Sequence, residues 1–117
     1  MAENRSFHER LKDSMNEYAH SVFKTSKRFP EEEKYGVTSQ LRRAALSVIL
    51  NYIEGYARNR NKVHKNFLEI SYGSLKESQY LIEFSFKEGF INKGDFDRLL
   101  KLGDGIGMML WGILRRL

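Results

Sequence analysis

The chain contains no cysteine and one proline, Pro30, among 117 residues. The missing thiols exclude a disulfide scaffold, a cysteine nucleophile, a cysteine-held zinc and an iron–sulfur centre. So little proline, with 41% apolar and 30% charged residues, suits long helices and gives little support to a multi-strand β fold. There is no internal repeat and no low-complexity tract. No long apolar run occurs either; the least charged stretch, Gly105 to Leu114, is about half of what a membrane span needs. No signal peptide is expected, and the cytoplasm is the expected compartment. A chain this short is expected to form one domain, residues 6–117, behind a flexible N-terminus at 1–5. The 20 Lys and Arg exceed the 15 Asp and Glu, for a net charge of +5. That mildly favours an anionic partner.

Apolar residues then mark four helices. Phe7, Leu11, Met15, Tyr18, Ala19, Val22 and Phe23 recur with the helical period, placing the first helix from Ser6 to Arg28. Ser6 and Glu9 have the spacing of a capping box, and Phe29-Pro30 ends the helix. Residues 30–36 form a connector with room for one turn at Glu31-Glu32-Glu33. A second helix is expected from Thr38, as N-cap, to Arg58. Asn59-Arg60-Asn61 is the next turn, with Asn61 capping a third helix to Lys87. Gly89 then serves as the C′ residue. Asn92, with Asp95 three residues on, caps a fourth helix that continues to Leu117. Short connections between long helices predict an all-α fold, an antiparallel up-down-up-down four-helix bundle.

The faces of these helices differ. On the second, Leu41, Ala44, Ala45, Leu46, Val48, Ile49, Leu50, Tyr52, Ile53, Tyr56 and Ala57 cover about 240° of the circumference. A bundle core needs only about 100° or a little more. The excess predicts a homo-oligomer whose interface uses Leu46, Ile49, Leu50 and Ile53, with help from the broad apolar face of the fourth helix. The third helix is expected to turn Ser71, Ser74, Ser78 and Ser85 to the core beside Val63, Phe67, Ile70 and Leu81. These serines, with Gly103, Gly107 and Gly112 of the fourth helix, are expected to let the helix axes approach and to make room for rings such as Phe67 and Trp111. These small residues could instead line a ligand cleft, but no convergent polar set accompanies them.

No constellation for catalysis appears. A di-iron bundle requires two Glu-x-x-His pairs, and the chain has one, Glu17 to His20. No metal site and no cofactor are therefore expected, and the three histidines are read as solvated. There is no Gly-x-Ser-x-Gly elbow and no Gly-rich phosphate loop ending in Lys-Ser/Thr. The expected protein is not an enzyme.

Charge is unevenly placed in the expected topology. One pole gathers Arg5, Arg10, Arg58, Arg60, Lys62, Lys65, Arg115 and Arg116 against Glu3, Glu9 and Glu54, while the other pole is nearly neutral. Such a pole attracts phosphate backbones without reading bases. The alternative is a solvated surface, with Arg115 and Arg116 favoured at a helix C-terminus by the macrodipole.

Phe29-Pro30, Tyr35-Gly36, Ser39-Gln40-Leu41-Arg42-Arg43-Ala44-Ala45, Ser47-Val48, Asn51, Glu54-Gly55 and Gly73-Ser74 resemble the four-helix-bundle proteins encoded in intervening sequences of bacterial 23S ribosomal RNA genes. The resemblance covers nearly the whole chain and is densest from Phe29 to Gly55. It implies a ring-like homopentamer, for which nucleic-acid binding is the usual proposal. A structurally similar relative, the accessory protein of diversity-generating retroelements, is pentameric and basic and works with a reverse transcriptase. This chain departs from the pattern at Ile49, where members often carry Pro, and at Tyr52-Ile53, where they often carry Ile-Ala. The matched polar residues Gln40, Arg43, Asn51 and Glu54 are read as a buried or intersubunit hydrogen-bond network.

Two functions follow. The leading one is a non-enzymatic oligomer that binds RNA or DNA through Arg58, Arg60, Lys62, Lys65, Arg115 and Arg116. The other is a protein-interaction scaffold whose ring presents helix ends to a partner enzyme.

Overall fold

The computed structural model describes residues 6–58 and 61–117. The expectations for the N-terminus at 1–5, for the turn at Asn59-Arg60 and for the Asn61 side chain as a cap lie outside what it describes. Four helices follow in order: α1 Phe7–Ser26, α2 Val37–Arg58, α3 Asn61–Lys87 and α4 Lys93–Leu114.

Local chemistry sets most of the ends. The Ser6 hydroxyl accepts from the Glu9 N–H at 3.1 Å, and the Glu9 carboxylate accepts from the Ser6 N–H at 3.1 Å, which completes the capping box. Glu31–Glu33 forms a 3₁₀ turn after Pro30. At the end of α3, Gly89 adopts φ +83°. The Phe90 N–H reaches the Ser85 carbonyl at 2.8 Å and the Gly89 N–H reaches the Phe86 carbonyl at 3.0 Å. This is the Schellman arrangement, which needs a left-handed residue that glycine supplies without strain. Asn92 caps α4 by accepting from the Asp95 N–H at 2.8 Å.

Three ends differ from expectation. The α1 helix stops at Ser26, two residues before the expected Arg28, and residues 27–28 form a turn. Thr38 is not a cap: α2 begins at Val37, the Gln40 N–H bonds to the Gly36 carbonyl at 3.0 Å, and Thr38 is buried in the first turn. The α4 helix stops at Leu114, and residues 115–116 form a turn.

The backbone of each helix packs against its sequence neighbours and that of α1 also against α4, whereas the diagonal helices α1 and α3 reach each other through side chains such as Tyr18 and Ser78. The section is therefore a four-cornered bundle. Cross-helix pairs run in opposite order along their partners. His8 meets Tyr52 while Ser26 meets Arg42. Arg43 meets Glu77 while Gly55 meets His64. Tyr72 meets Trp111 while Phe86 meets Phe96.

The core is a stack of Leu11, Met15, Tyr18 and Val22 from α1, Leu41, Val48 and Tyr52 from α2, Leu68, Leu75 and Ile82 from α3, and Leu99, Ile106 and Leu110 from α4. On α3 one line of buried positions alternates large and small, Leu68, Ser71, Leu75, Ser78, Ile82, Ser85, with Ser74, Gln79 and Leu81 buried beside it. That is a heptad seam with a serine at every second core step. The four expected serines are all buried, but Val63 and Ile70 are exposed. They sit roughly 100° away from this seam at the helical step of 100° per residue.

Every buried serine hydroxyl on that seam is bonded. Ser71 donates to the Val48 carbonyl at 2.6 Å, Ser78 to Leu75 at 2.7 Å and Ser85 to Leu81 at 2.7 Å, while Ser74 pairs with Ser47 at 2.7 Å. Because the single Ser78 proton goes to Leu75, the buried Tyr18 phenol donates to Ser78 at 2.7 Å. Burial pushes that phenol up to about 12, which keeps it a donor.

The glycines of α4 meet the expectation in part. Gly103 and Gly107 are buried against Tyr18, Gln79 and Leu75, whereas Gly112 has no such neighbour. Room for Phe67 comes from Gly55, where an added Cβ would lie 3.2 Å from the Phe67 Cβ. Trp111 needs no such room, being 54% exposed.

A paired substitution tests this packing. A Cβ at Gly103 would lie 2.9 Å from Gln79 Nε2 and 3.3 Å from Tyr18 Cε1, while one at Gly105 meets nothing within 4 Å. Gly103→Ala gains the helix propensity of alanine, about 1 kcal/mol, but overpacks the Tyr18 ring and displaces the Gln79 amide at a cost of about 1–3 kcal/mol, for a net loss of about 1 kcal/mol. Gly105→Ala should gain up to about 1 kcal/mol from helix propensity. Urea-unfolding midpoints that move in opposite directions are the expected outcome.

Candidate functional site

The start of α1, the end of α2, the start of α3 and the end of α4 meet at one end of the bundle. His8 pairs with the Tyr52 hydroxyl at 2.7 Å. The Tyr56 ring packs on His8 at 4.1 Å, on Tyr52 at 4.9 Å and edge-on to His64 at 4.9 Å between centroids. His64 Nδ1 in turn bonds with the Gly55 carbonyl at 2.9 Å. Two of the three histidines are thus structural and not solvated as expected; only His20 lies exposed on the polar face. The i, i+4 pair Tyr52 and Tyr56 was the one sequence signal of this cluster. Its partners come from other helices: His8 of α1 is 44 residues from Tyr52, and His64 stands on α3.

The charges sit outside this aromatic floor. Arg58, Lys62, Lys65, Arg115 and Arg116 are all exposed; Arg60 lies outside the described residues. Arg58 pairs with Glu54 at 2.8 Å and lies 5.9 Å from the Phe67 ring. Among the described residues, Lys62, Lys65, Arg115 and Arg116 have no carboxylate partner. Beside Arg116 runs an apolar groove of about 650 Å³ lined by Phe7, Met108, Met109, Ile113 and Leu117. Sequence reasoning missed this groove because its two walls come from α1 and from the end of α4.

The polar stripe of α2 does not form one network. Asn51 donates to the Ser47 hydroxyl at 2.8 Å and to its carbonyl at 2.9 Å, and Ser47 continues to Ser74 of α3. Arg43 turns instead to Glu77 at 3.1 Å, and Glu54 to Arg58. Gln40 is exposed and shares no side-chain hydrogen bond with the other three. Within one chain the stripe joins α2 to α3 through Ser47 and Asn51.

The interface residues expected on α2 separate into two grades. Leu46, Leu50 and Ile53 are 39%, 58% and 46% exposed, while Ile49 is half-buried against the core. At the opposite end of the bundle Asp95 pairs with both Arg28 and Arg98. The Arg98 hydrogen bond, with Arg28 beside it, holds the Asp95 carboxyl below the usual carboxylate range against the opposing effect of burial.

A model of the 23S rRNA-intervening sequence proteins matches residues 9–112. The chain belongs to that family. Its fold is similar to the crystal structure of a protein of unknown function from the S23 ribosomal protein family of Bacteroides thetaiotaomicron. The TM-score is 0.86 at 20% identity, covering 94% of this chain and 99% of the other. No curated protein matches the chain. No group of three or more His, Asp or Glu able to hold a metal occurs among the described residues of this family member, and no helix there is long and apolar enough to cross a membrane.

The His8 contact makes stability depend on pH. Burial, and then the nearby Lys12 charge, lower its pKa below the ordinary 6.5, against the weaker pull of Glu9. The unfolded chain therefore binds more protons just below that value. The stabilisation is complete above 6.5 and is lost as pH falls through the lowered folded value. Urea midpoints measured from pH 7.5 down to 5 should decline, and His8→Gln should flatten that decline. An equal decline in the variant would place the titrating group elsewhere.

Proposed function

We propose that the protein is an antiparallel up-down-up-down bundle that assembles as a ring-like homopentamer in the cytoplasm and binds RNA or DNA phosphates through its basic end. The opposite order of the cross-helix pairs supports the topology. The exposed stripe of Leu46, Leu50 and Ile53 supports the assembly, because three large apolar side chains in register on one helix face are costly to leave in water.

The observation that carries nucleic-acid binding is the group of exposed cations without carboxylate partners, Lys62, Lys65, Arg115 and Arg116, beside Arg58. A solvated cation without a partner is free to displace the counterions condensed on a phosphate backbone. Such contacts position a nucleic acid without reading its sequence. A second reading rests on the apolar groove at the same end: a scaffold that presents this end of the bundle to a partner protein. Salt separates the two, since phosphate contacts weaken steeply as salt rises.

Changing Arg58, Arg60, Lys62 and Lys65 together to Gln should lower the affinity for RNA and DNA alike. It should also flatten the plot of log K against log salt by about 0.7–0.9 for each phosphate no longer neutralised. The same change at Lys24, Lys76, Lys87 and Lys101, away from this end, should leave the slope nearly intact. Equal losses would assign binding to net charge alone, and no binding by the parent at low salt would favour the scaffold.

Assembly is tested by light scattering, with a mass about five times 13.8 kDa expected from the family resemblance. Leu50→Glu and Ile53→Glu should each release smaller species, because an unpaired charge in an apolar interface costs several kcal/mol. A parent that is monomeric at tens of micromolar would overturn the assembly.

A further inference from the structure

The other end of the bundle holds a small cavity that none of this uses. The Phe29-Pro30 corner and the 3₁₀ turn fold back between the end of α1 and the start of α2. They enclose about 210 Å³ lined by Ser26, Lys27, Glu31, Lys34, Thr38 and Arg42.

Arg42 is held in place without a counter-charge. Its Nε donates to the Ser26 hydroxyl at 2.8 Å and its Nη2 to the Phe23 carbonyl at 3.3 Å. Its guanidinium lies 4.9 Å from the centre of the Phe23 ring. These contacts fix the fork but neutralise nothing: among the described residues Arg42 has no carboxylate partner. A half-buried guanidinium left unpaired is costly unless an anion completes it. Thr38 is a second, independent sign. It is 6% exposed, and its hydroxyl is the one buried side-chain polar atom without a hydrogen-bond partner among the described residues. Such a group also costs stability until something bonds to it. Finally, the α2 ladder begins with Gln40 N–H to Gly36 carbonyl, so the N–H groups of residues 37–39 precede it, and no acidic residue stands in that first turn. The positive end of the helix dipole meets no carboxylate from its own first turn, and the Glu33 carboxylate of the preceding 3₁₀ turn, beside Gly36, offsets that field only in part.

We propose that this cavity binds a single phosphate dianion, as orthophosphate or as the terminal phosphate of a phosphomonoester. Arg42 is the principal ligand, and Lys27, Lys34 and the Thr38 hydroxyl complete the cradle. A planar fork, two ammonium groups and a hydroxyl match a tetrahedral group with several acceptor oxygens. The volume lies below that of ordinary small-molecule pockets and admits a phosphate without its sugar or base. Three cations outweigh Glu31, whose carboxylate tempers the affinity. The site is separate from the basic end: Arg42 belongs to the first half of α2, and Arg58 ends that helix.

The test is a titration of the intact protein with sodium phosphate against sodium chloride at equal ionic strength, near pH 7.5. It is read by melting temperature and by amide NMR shifts at residues 26–42. A saturable response specific to phosphate is expected. Arg42→Lys, which keeps the charge and loses the fork, should weaken binding about tenfold or more. The exposed pair Lys27→Gln with Lys34→Gln should do likewise with little effect on packing. Thr38→Val should leave the free protein at least as stable while weakening binding several-fold, a combination that a purely structural role would not produce. A 5′-phosphorylated dinucleotide and its unphosphorylated counterpart distinguish the source. A response to orthophosphate assigns the free ion, and a response only to the phosphorylated dinucleotide assigns a strand end. The absence of a saturable response, an equal response to the unphosphorylated dinucleotide, or unchanged binding in both the Arg42 and the double lysine variants overturns the site. The quadruple Gln variant at the basic end should leave this response unchanged, so the two sites fail or succeed separately.

Discussion

The close approach of α2 and α3 is the constraint on which the rest of the bundle depends. These two helices share the most extensive contact in the molecule, and small residues make it possible. Gly55 lies against Phe67 and His64, Ser47 against Ser74, and Ser71 sits deep enough to donate to the Val48 carbonyl. Serine suits this seam because it is small and can bond its own hydroxyl to a nearby carbonyl, leaving no orphan in the core. Larger residues there would push the helices apart and open the layer that Leu68, Leu75 and Ile82 fill.

That approach also decides what α2 can offer to the outside. With one side committed to α3, another to the core and a third to α1 through Arg42, the remaining strip carries Leu46, Leu50 and Ile53. The helix therefore has two apolar faces that serve different ends. One is buried within the chain; the other lies on the surface, where its area has no partner inside the chain.

Charge follows the same logic of opposite ends. Where Arg28, Arg98 and Asp95 meet, positive and negative groups are paired across α1 and α4. Where α2 ends and α3 begins, the lysines stand apart from carboxylates above a floor of His8, Tyr52, Tyr56 and His64. Packed rings below and unpaired cations above give that end a rigid base and an electrostatically open rim. Near the Arg28 pairing, and at the same end as it, Arg42 is ordered by a hydroxyl, a carbonyl and a ring, none of which carries a negative charge.

The sequence by itself determined the elements and most of their ends. The Ser6–Glu9 box, the Phe29-Pro30 stop, the Gly89 turn and the Asn92 cap are local interactions, complete within a few residues of chain, so they are legible without a fold. The four-helix class was legible for the same reason, and so was the excess apolar surface of α2. What the sequence left open needed partners on other elements of the fold. Thr38 reads as a cap until the chain entering α2 buries it. Val63 and Ile70 read as core until the Leu–Ser seam of α3 sets which side faces inward. His8 and His64 read as solvated until Tyr52 and Gly55 come to meet them. Arg42 reads as one more surface charge until the return of the chain at Pro30 closes a cavity around it. Tertiary structure alone decided these, because hydrogen-bond partners, burial and the absence of a counter-charge are properties of juxtaposed helices and not of any single one.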